Sequence, residues 1–157
     1  MTFLQGVLAD RDKWSAVGQC AIEKTMAVVG TKSAMLIMRE AYYGTTRFDD
    51  FARRVGITKA ATSARLAELV ELGLLERRPY QEPGQRSREE YVLTKAGIDF
   101  MPVVWALFEW GRNHLPGRNR LRLTHQGCGA GATVEIRCAE GHLVPPDELG
   151  MRLAKSP

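Results

Sequence analysis

A chain of 157 residues with a formal net charge of +4 and 45% hydrophobic residues has length and apolar content for one domain with an appendage, or two small domains, and excludes a disordered polyampholyte. No run of about 18 uncharged apolar residues occurs, so no membrane contact through a spanning helix is expected. The N-terminal MTFLQGVLADRDKW lacks the basic region and long apolar core of a secretion signal, so the expected setting is cytoplasmic, with the three cysteines reduced.

The basic excess permits a polyanionic partner without requiring one, and its distribution says more than its total. Arg112, Arg118, Arg120 and Arg122 come with no acidic residue among them, and Arg86 and Arg88 flank Ser87 in a polar stretch.

Residues 1–19 form an N-terminal arm of weak periodicity, in which Phe3, Leu4, Val7, Leu8 and Trp14 could share one apolar edge. Two readings stay open for it, a helical arm on a partner chain and a loosely ordered tail. From Cys20 the apolar positions Ile22, Met26 and Val29 step by four and three, predicting a helix that ends at Gly30. Thr31 can cap a second helix running through Leu36 and Ile37 to Tyr43 and stopping at Gly44.

The stretch from Phe48 to Leu75 predicts a short helix, a tight turn at Gly56 and a longer helix from Lys59 to Leu72 with Gly73 as its stop. Asp49 and Asp50 suit the positive end of the short helix. Thr58 stands at the N-cap of the longer one, whose buried stripe is expected to be Thr62, Leu66, Leu69 and Leu72. Its opposite side carries Lys59, Ala60, Ser63, Ala64 and Ala67, small or polar residues that can approach a surface closely. Two helices joined through a glycine turn make a helix-turn-helix, whose second helix can enter a DNA major groove; two ordinarily packed helices share the same periodicity.

After Gly73 the pattern changes. Leu74 to Tyr80 reads as extended, QEPGQRSRE is dense in turn formers, and EYVLT alternates as a strand does. Helices, hairpin and polar tip in this order predict a winged helix whose wing tip carries Gln85, Arg86, Ser87 and Arg88. Thr94 caps a long helix from Lys95 to His114, apolar on more than one face and bent at Pro102. Met101, Val104, Trp105, Phe108 and Trp110 on it are the expected dimer interface, unless the C-terminal segment folds back over them. Residues 116–157 read as a small β unit, with Arg118–Leu123 and Thr133–Arg137 alternating around Gly127, Gly129 and Gly131, and Pro145-Pro146 closing it. The predicted class is α+β, mainly α: an arm (1–19), a winged helix-turn-helix with dimerisation helix (20–115) and a β-rich appendage (116–157).

From Cys20 to about Leu115 the chain resembles the HxlR family of MarR-like bacterial winged-helix transcription regulators. The resemblance is carried by Cys20 opening the first helix, by GTKSAMLIMRE and TRFDDFARRVGIT, and by LVELGLLERRPY and REEYVLTKAG. It implies a homodimer on an inverted repeat of double-stranded DNA near a promoter, with one recognition helix and one wing per half-site. Ala60 and Ala64 depart from the basic residues that family members often carry on the recognition helix, and the QRSR tip is more polar than a proline-rich wing. Base readout would then rest on Lys59, Ser63, Arg65 and the wing, or on DNA shape.

The candidate DNA contacts are Thr58, Lys59, Ala60, Ser63 and Arg65 on the recognition helix, Arg86, Ser87 and Arg88 on the wing, and Arg47 before the short helix. Each has a plain alternative: capping or solvation for Thr58, Lys59 and Ser63, an ion pair with Glu68 for Arg65, and one with Glu89 or Glu90 for Arg88. In the resembling family a cysteine at the place of Cys20 serves some members as a sensor of oxidants or electrophiles; otherwise Cys20 is a small core residue. No cofactor is required by this reading. His125-x2-Cys128 and Cys138-x3-His142 place four potential zinc ligands on two turns, against the alternative of a decayed ribbon held by β pairing. No G-x-S-x-G, H-E-x-x-H, P-loop or G-x-G-x-x-G occurs, so catalysis is not expected. The competing function is a winged helix used for protein contact, which the alanine-rich helix face keeps open.

Overall fold

The computed structural model describes residues 3–18, 20–117 and 119–153. The chain divides into two compact units, one of residues 1–20 with 118–157 and the other of residues 21–117. Arm and appendage, separate segments in the sequence reading, thus belong to one unit, joined by backbone pairing.

In that unit β1 (Phe3–Leu4) runs parallel to the strand Gly150–Met151, with Phe3 N–H donating to Leu149 O at 2.8 Å and Gln5 N–H to Met151 O at 2.9 Å. Gly6, at φ 62°, turns the chain out of the strand into two 3₁₀ turns, Gly6–Ala9 and Arg11–Lys13. The Trp14 indole N–H closes them on Leu8 O at 2.8 Å, and Leu8 is buried. The arm is therefore neither a helix nor a loose tail, because a strand pairing and a tryptophan clasp satisfy backbone groups that a helix would have satisfied internally. The ladders expected at 118–123 and 133–137 also give way over residues 119–123 and 133–137; Arg118 lies outside the described residues. Among the described residues the pairing there is isolated bridges, Thr124↔Gly131 and Arg137↔Leu143, around turns such as Glu148 N–H on Pro145 O. Glycine at 127, 129 and 131 offers no side chains for cross-strand packing, so short bridges replace strands.

The larger unit begins with α1 (Ala21–Val29) and α2 (Lys32–Tyr42), the latter capped by Thr31, whose hydroxyl accepts from Ala34 N–H at 3.2 Å. Next come α3 (Phe48–Val55) and α4 (Lys59–Glu71). Between them Gly56 is left-handed at φ 74°, where any other residue would carry a Cβ penalty, and this lets the two helices meet across the three residues Gly56, Ile57 and Thr58. Thr58 caps α4 by accepting from Ala61 N–H at 3.1 Å. An antiparallel hairpin follows, β2 (Leu75–Tyr80) with β3 (Arg88–Leu93), in register from Leu75↔Leu93 to Tyr80↔Arg88.

The core gathers Val29, Ile37, Met38, Phe51, Leu66, Leu69 and Leu75, all at most 1% exposed, with Tyr91 edge-on to Phe51 at 6.4 Å. Each large side chain so enclosed contributes about 1.5–3 kcal/mol of burial. Thr62 joins them, its hydroxyl donating to Thr58 O at 2.9 Å, which satisfies the polar atom inside the core. Leu72, expected in the same stripe, is the C-cap of α4 and is exposed.

The long helix expected over 95–114 is two helices, α5 (Lys95–Asp99) and α6 (Met101–His114), with the break at Phe100. Proline has no N–H and its ring excludes the carbonyl four residues back, so Pro102 occupies the first turn of a new helix instead of bending an old one. Thr94 starts α5, accepting from Gly97 N–H at 3.0 Å while its hydroxyl also reaches Gly73 O. Gly97 lets α5 lie directly on the chain before β2, where a Cβ would stand 2.1 Å from Leu74 O.

Candidate nucleic-acid interface

The outward side of α4 is bare. Thr58, Lys59, Ala60, Ser63, Ala64 and Ala67 are exposed, while Thr62, Leu66 and Leu69 hold the helix from beneath. A helix so mounted presents its N-terminal turn without bulk, and free N–H groups there favour a phosphate. Lys59 is already matched in the free protein, its Nζ 2.7 Å from Asp49 Oδ1 on α3. Arg65 leans sideways onto Glu68 at 2.5 Å, the alternative its spacing allowed.

The hairpin forms the wing. Gln85 N–H donates to Glu82 O at 3.0 Å and Gln81 Nε2 to Gln85 O at 3.0 Å, which gives the tip a defined turn. Arg86, Ser87 and Arg88 are exposed on it, and among the described residues neither Arg86 nor Arg88 has an ion-pair partner. The two glutamates that could have taken Arg88 are engaged elsewhere, Glu89 with Arg77 at 3.7 Å and Glu90 with Arg47 at 3.6 Å. Two unpaired cations at a loop tip suit phosphates or a minor groove.

Arg47 stands apart from this set. Its guanidinium lies on the ring of Tyr80, Cζ 3.0 Å from the centroid, at the root of the wing. On α3, Asp50 and Arg53 pair at 2.5 Å, and that hydrogen bond, first among several arginine influences, holds the Asp50 carboxyl below its ordinary value.

The residues expected at a subunit interface divide. Val104 is buried in its own core, and Trp105 packs its ring against Tyr42 at 5.9 Å, Tyr43 at 5.8 Å and Phe108 at 6.1 Å. Trp105 and Phe108 remain half-buried. Met101 and Trp110 are exposed, and Val103 and Leu107, left out of the expected interface, are exposed on the Trp110 side. The signal was present in the helix period: 103, 107 and 110 step by four and three along a side distinct from that of Val104 and Phe108.

Cys20 is half-buried, its amide bonded to Ala16 O at 2.9 Å. In the smaller unit His125 Nδ1 lies 3.2 Å from Cys128 Sγ, and Cys138 N–H bonds His142 O at 3.0 Å to close the second turn. Among the described residues no three His, Cys, Asp or Glu side chains gather as a metal would require, so His125, Cys128, Cys138 and His142 do not converge on one point.

Comparison with known proteins agrees with this geometry. The HxlR-like helix-turn-helix family profile matches residues 28–119. A protein described as an uncharacterized HTH-type transcriptional regulator of Mycobacterium tuberculosis (strain CDC 1551 / Oshkosh) is 38% identical over 120 residues, 75% of each chain. Among solved structures, PA1607, a candidate transcription factor, is 28% identical with a TM-score of 0.75, covering 90% of this chain and 98% of that one. The redox regulator HypR in its reduced form is 29% identical with a TM-score of 0.54, covering 60% of this chain and 92% of that one. A winged helix with an uncovered recognition helix, matched over more than half its length by one profile, belongs to the HxlR-like helix-turn-helix family of DNA-binding transcriptional regulators.

Proposed function

We propose that the protein is a homodimeric transcription regulator reading an inverted repeat, with α4 in the major groove and the wing on phosphates or minor groove of each half-site. The observation that carries this reading is the bare N-terminal turn of α4 in one unit with a wing whose Arg86 and Arg88 have no anionic partner among the described residues. Thr58, Ser63 and Ser87 add hydroxyls at the same exposed positions, and Ala60 gives close approach. The dimer rests on the α6 face of Val103, Leu107 and Trp110, an apolar surface exposed in the single chain.

Selection of duplexes from a random library, followed by titration at several salt concentrations, tests the reading. Lys59, Arg86 and Arg88 from each of two protomers predict a slope of log K on log salt of about −5. Leu107→Glu is expected to give a monomer in sedimentation and to lose the selected duplex at the same time. Absence of any enriched duplex, with a shallow salt slope, would leave the second reading, a winged helix for protein contact; the Lys59–Asp49 pair and the alanine-lined face favour that one.

The proposal extends to the signal. Cys20 is the thiol we assign to an oxidant response, supported by the likeness to a redox regulator and by its partial exposure. Peroxide would oxidise it to the sulfenic acid with release of water, and Cys20→Ser is expected to make duplex binding indifferent to peroxide.

A further inference from the structure

We infer that Arg47 is a positioning residue for the wing and not a contact to DNA, an inference that rests on the DNA-binding reading above. The backbone around it already belongs to the wing sheet: Tyr91 N–H donates to Thr46 O at 2.8 Å, and Arg47 bridges Glu90 antiparallel along the outer edge of β3. Residues paired across strands face the same side. Glu90 and Tyr80 share one face of the hairpin, since Arg78↔Glu90 and Tyr80↔Arg88 are successive same-face pairs, and the side chain of Arg47 crosses that face. Its guanidinium lies over the Tyr80 ring, Cζ 3.0 Å from the centroid, with Nη1 3.6 Å from Glu90 Oε2.

Nη1 is moreover enclosed completely and has no hydrogen-bond partner. A nitrogen held out of water without a hydrogen bond is retained there by the ring and by the Glu90 charge, because an unconstrained arginine would swing it to solvent. Tyr80 is the last residue of β2 and Arg88, directly opposite, the first of β3. The clamp therefore grips the hairpin at the place where the tip begins. Arg47 is also the N-cap of α3, the first helix of the helix-turn-helix, and Thr45 beside it accepts from Arg54 Nη1 of the same helix at 2.9 Å. One side chain thus ties the start of the helix-turn-helix to the root of the wing and fixes the direction in which Arg86 and Arg88 project.

A phosphate contact and a clamp leave different traces. On a duplex selected by the wild-type protein, Arg47→Ala and Tyr80→Leu are each expected to weaken binding about tenfold. The double variant should be no weaker than either single one, since both remove the same contact. The salt slope should stay at its wild-type value in all three, whereas Arg86→Ala lowers it by about 1 per protomer. Arg47→Lys keeps the charge and loses the planar stack, so it too is expected to weaken binding at unchanged slope. A slope that falls in Arg47→Ala as it does in Arg86→Ala, or additive losses in the double variant, overturns the inference. Tyr80→Leu lies outside the core and carries the test should Arg47→Ala fold poorly. Hydrogen exchange of the free protein supplies a readout independent of DNA: Arg47→Ala should speed exchange at Arg88–Tyr91 and leave α4 unchanged. If wild-type protein selects no duplex, the DNA reading fails while this exchange result still decides the clamp, and unchanged wing exchange refutes it.

Discussion

Replacing Asp49 by asparagine should tighten DNA binding while making the fold slightly less stable. Lys59 is the one lysine on the exposed side of α4, and its Nζ sits 2.7 Å from Asp49 Oδ1, with side chains 75% and 69% exposed. At that separation a water-like dielectric gives about 1.5 kcal/mol of attraction, which the entropy of holding two long side chains reduces to about 0.2–1 kcal/mol. DNA must displace Asp49 before a phosphate or base edge can take Lys59. Removing the carboxylate saves about 0.5 kcal/mol per protomer, hence about 1 kcal/mol per dimer, or about fivefold in affinity at low salt. The gain should shrink as salt rises, because both pair and phosphate are screened. Stability moves the other way. Asp49 lies in the first turn of α3, where a carboxylate contributes about 0.3–1 kcal/mol against the helix dipole. For a unit of this size the expected fall in Tm is about 2–6 °C.

Fluorescence anisotropy with the selected duplex at two salt concentrations reads the first effect, and a thermal melt reads the second. Asp50→Asn is the control. It deletes the same charge one residue along, but Asp50 is bonded to Arg53 and not to the recognition helix, so its gain should be smaller. If Asp49→Asn binds no tighter than wild type at low salt, or gains no more than Asp50→Asn, Lys59 is not withheld from DNA by this pair, and the reasoning is wrong.

Three further outcomes follow from single distances. Gly97→Ala puts a Cβ 2.1 Å from Leu74 O, a backbone atom that cannot swing aside, and should cost about 3 kcal/mol or more in urea unfolding. The Tyr42 hydroxyl donates to Gly97 O at 2.6 Å, and burial pushes its phenol up to about 12, so the stability it contributes is complete below about pH 10 and is lost as pH rises toward 12. Absorbance at 295 nm should show a late-ionising phenol, and Tyr42→Phe should cost about 1 kcal/mol while abolishing that late phase. Because His125 and Cys128 pair without a third donor among the described residues, protein purified without added metal is expected to hold well under one zinc per chain, and chelator should leave its far-UV spectrum unchanged; stoichiometric zinc in a metal assay would refute this.

What the sequence made legible was local. Caps at Thr31, Thr58 and Thr94 and the turn at Gly56 are short-range chemistry, and each stands where its residue type placed it. The hairpin followed from alternation and a polar tip. What failed needed partners distant in the chain. Phe3 and Leu4 pair with Gly150 and Met151, nearly the whole length away, and no periodicity within 18 residues could announce a strand of two. The ring contacts of Trp105 with Tyr42 and Tyr43, more than sixty residues back, were likewise beyond the helix period of its own segment. Arg47 looked like one more surface cation. Its role depends on Tyr80, far along the chain, and only the paired register of β2 and β3 brings the two together.

On the proposed reading, the charges of the larger unit would assign attraction to DNA and choice among sequences to different elements. On α4 both cations near the presented face are engaged internally, Lys59 with Asp49 and Arg65 with Glu68, and the remaining positions there are alanines and a serine. A helix of that kind can lie close to base edges while offering few bidentate donors to them. The wing differs, since Arg86 and Arg88 carry unpaired charge on a hairpin anchored at its root. Binding strength should therefore reside mainly in the wing, and sequence preference in how closely the bare helix fits a groove, where methyl contacts of Ala60 and Ala64 and the width of the groove discriminate. On this division Ala64→Arg raises affinity for all duplexes and flattens the preference among them, because it adds a phosphate-seeking charge to a surface selected for fit. An Ala64→Arg protein that gained affinity for the selected duplex alone would show that the helix reads bases by donors after all.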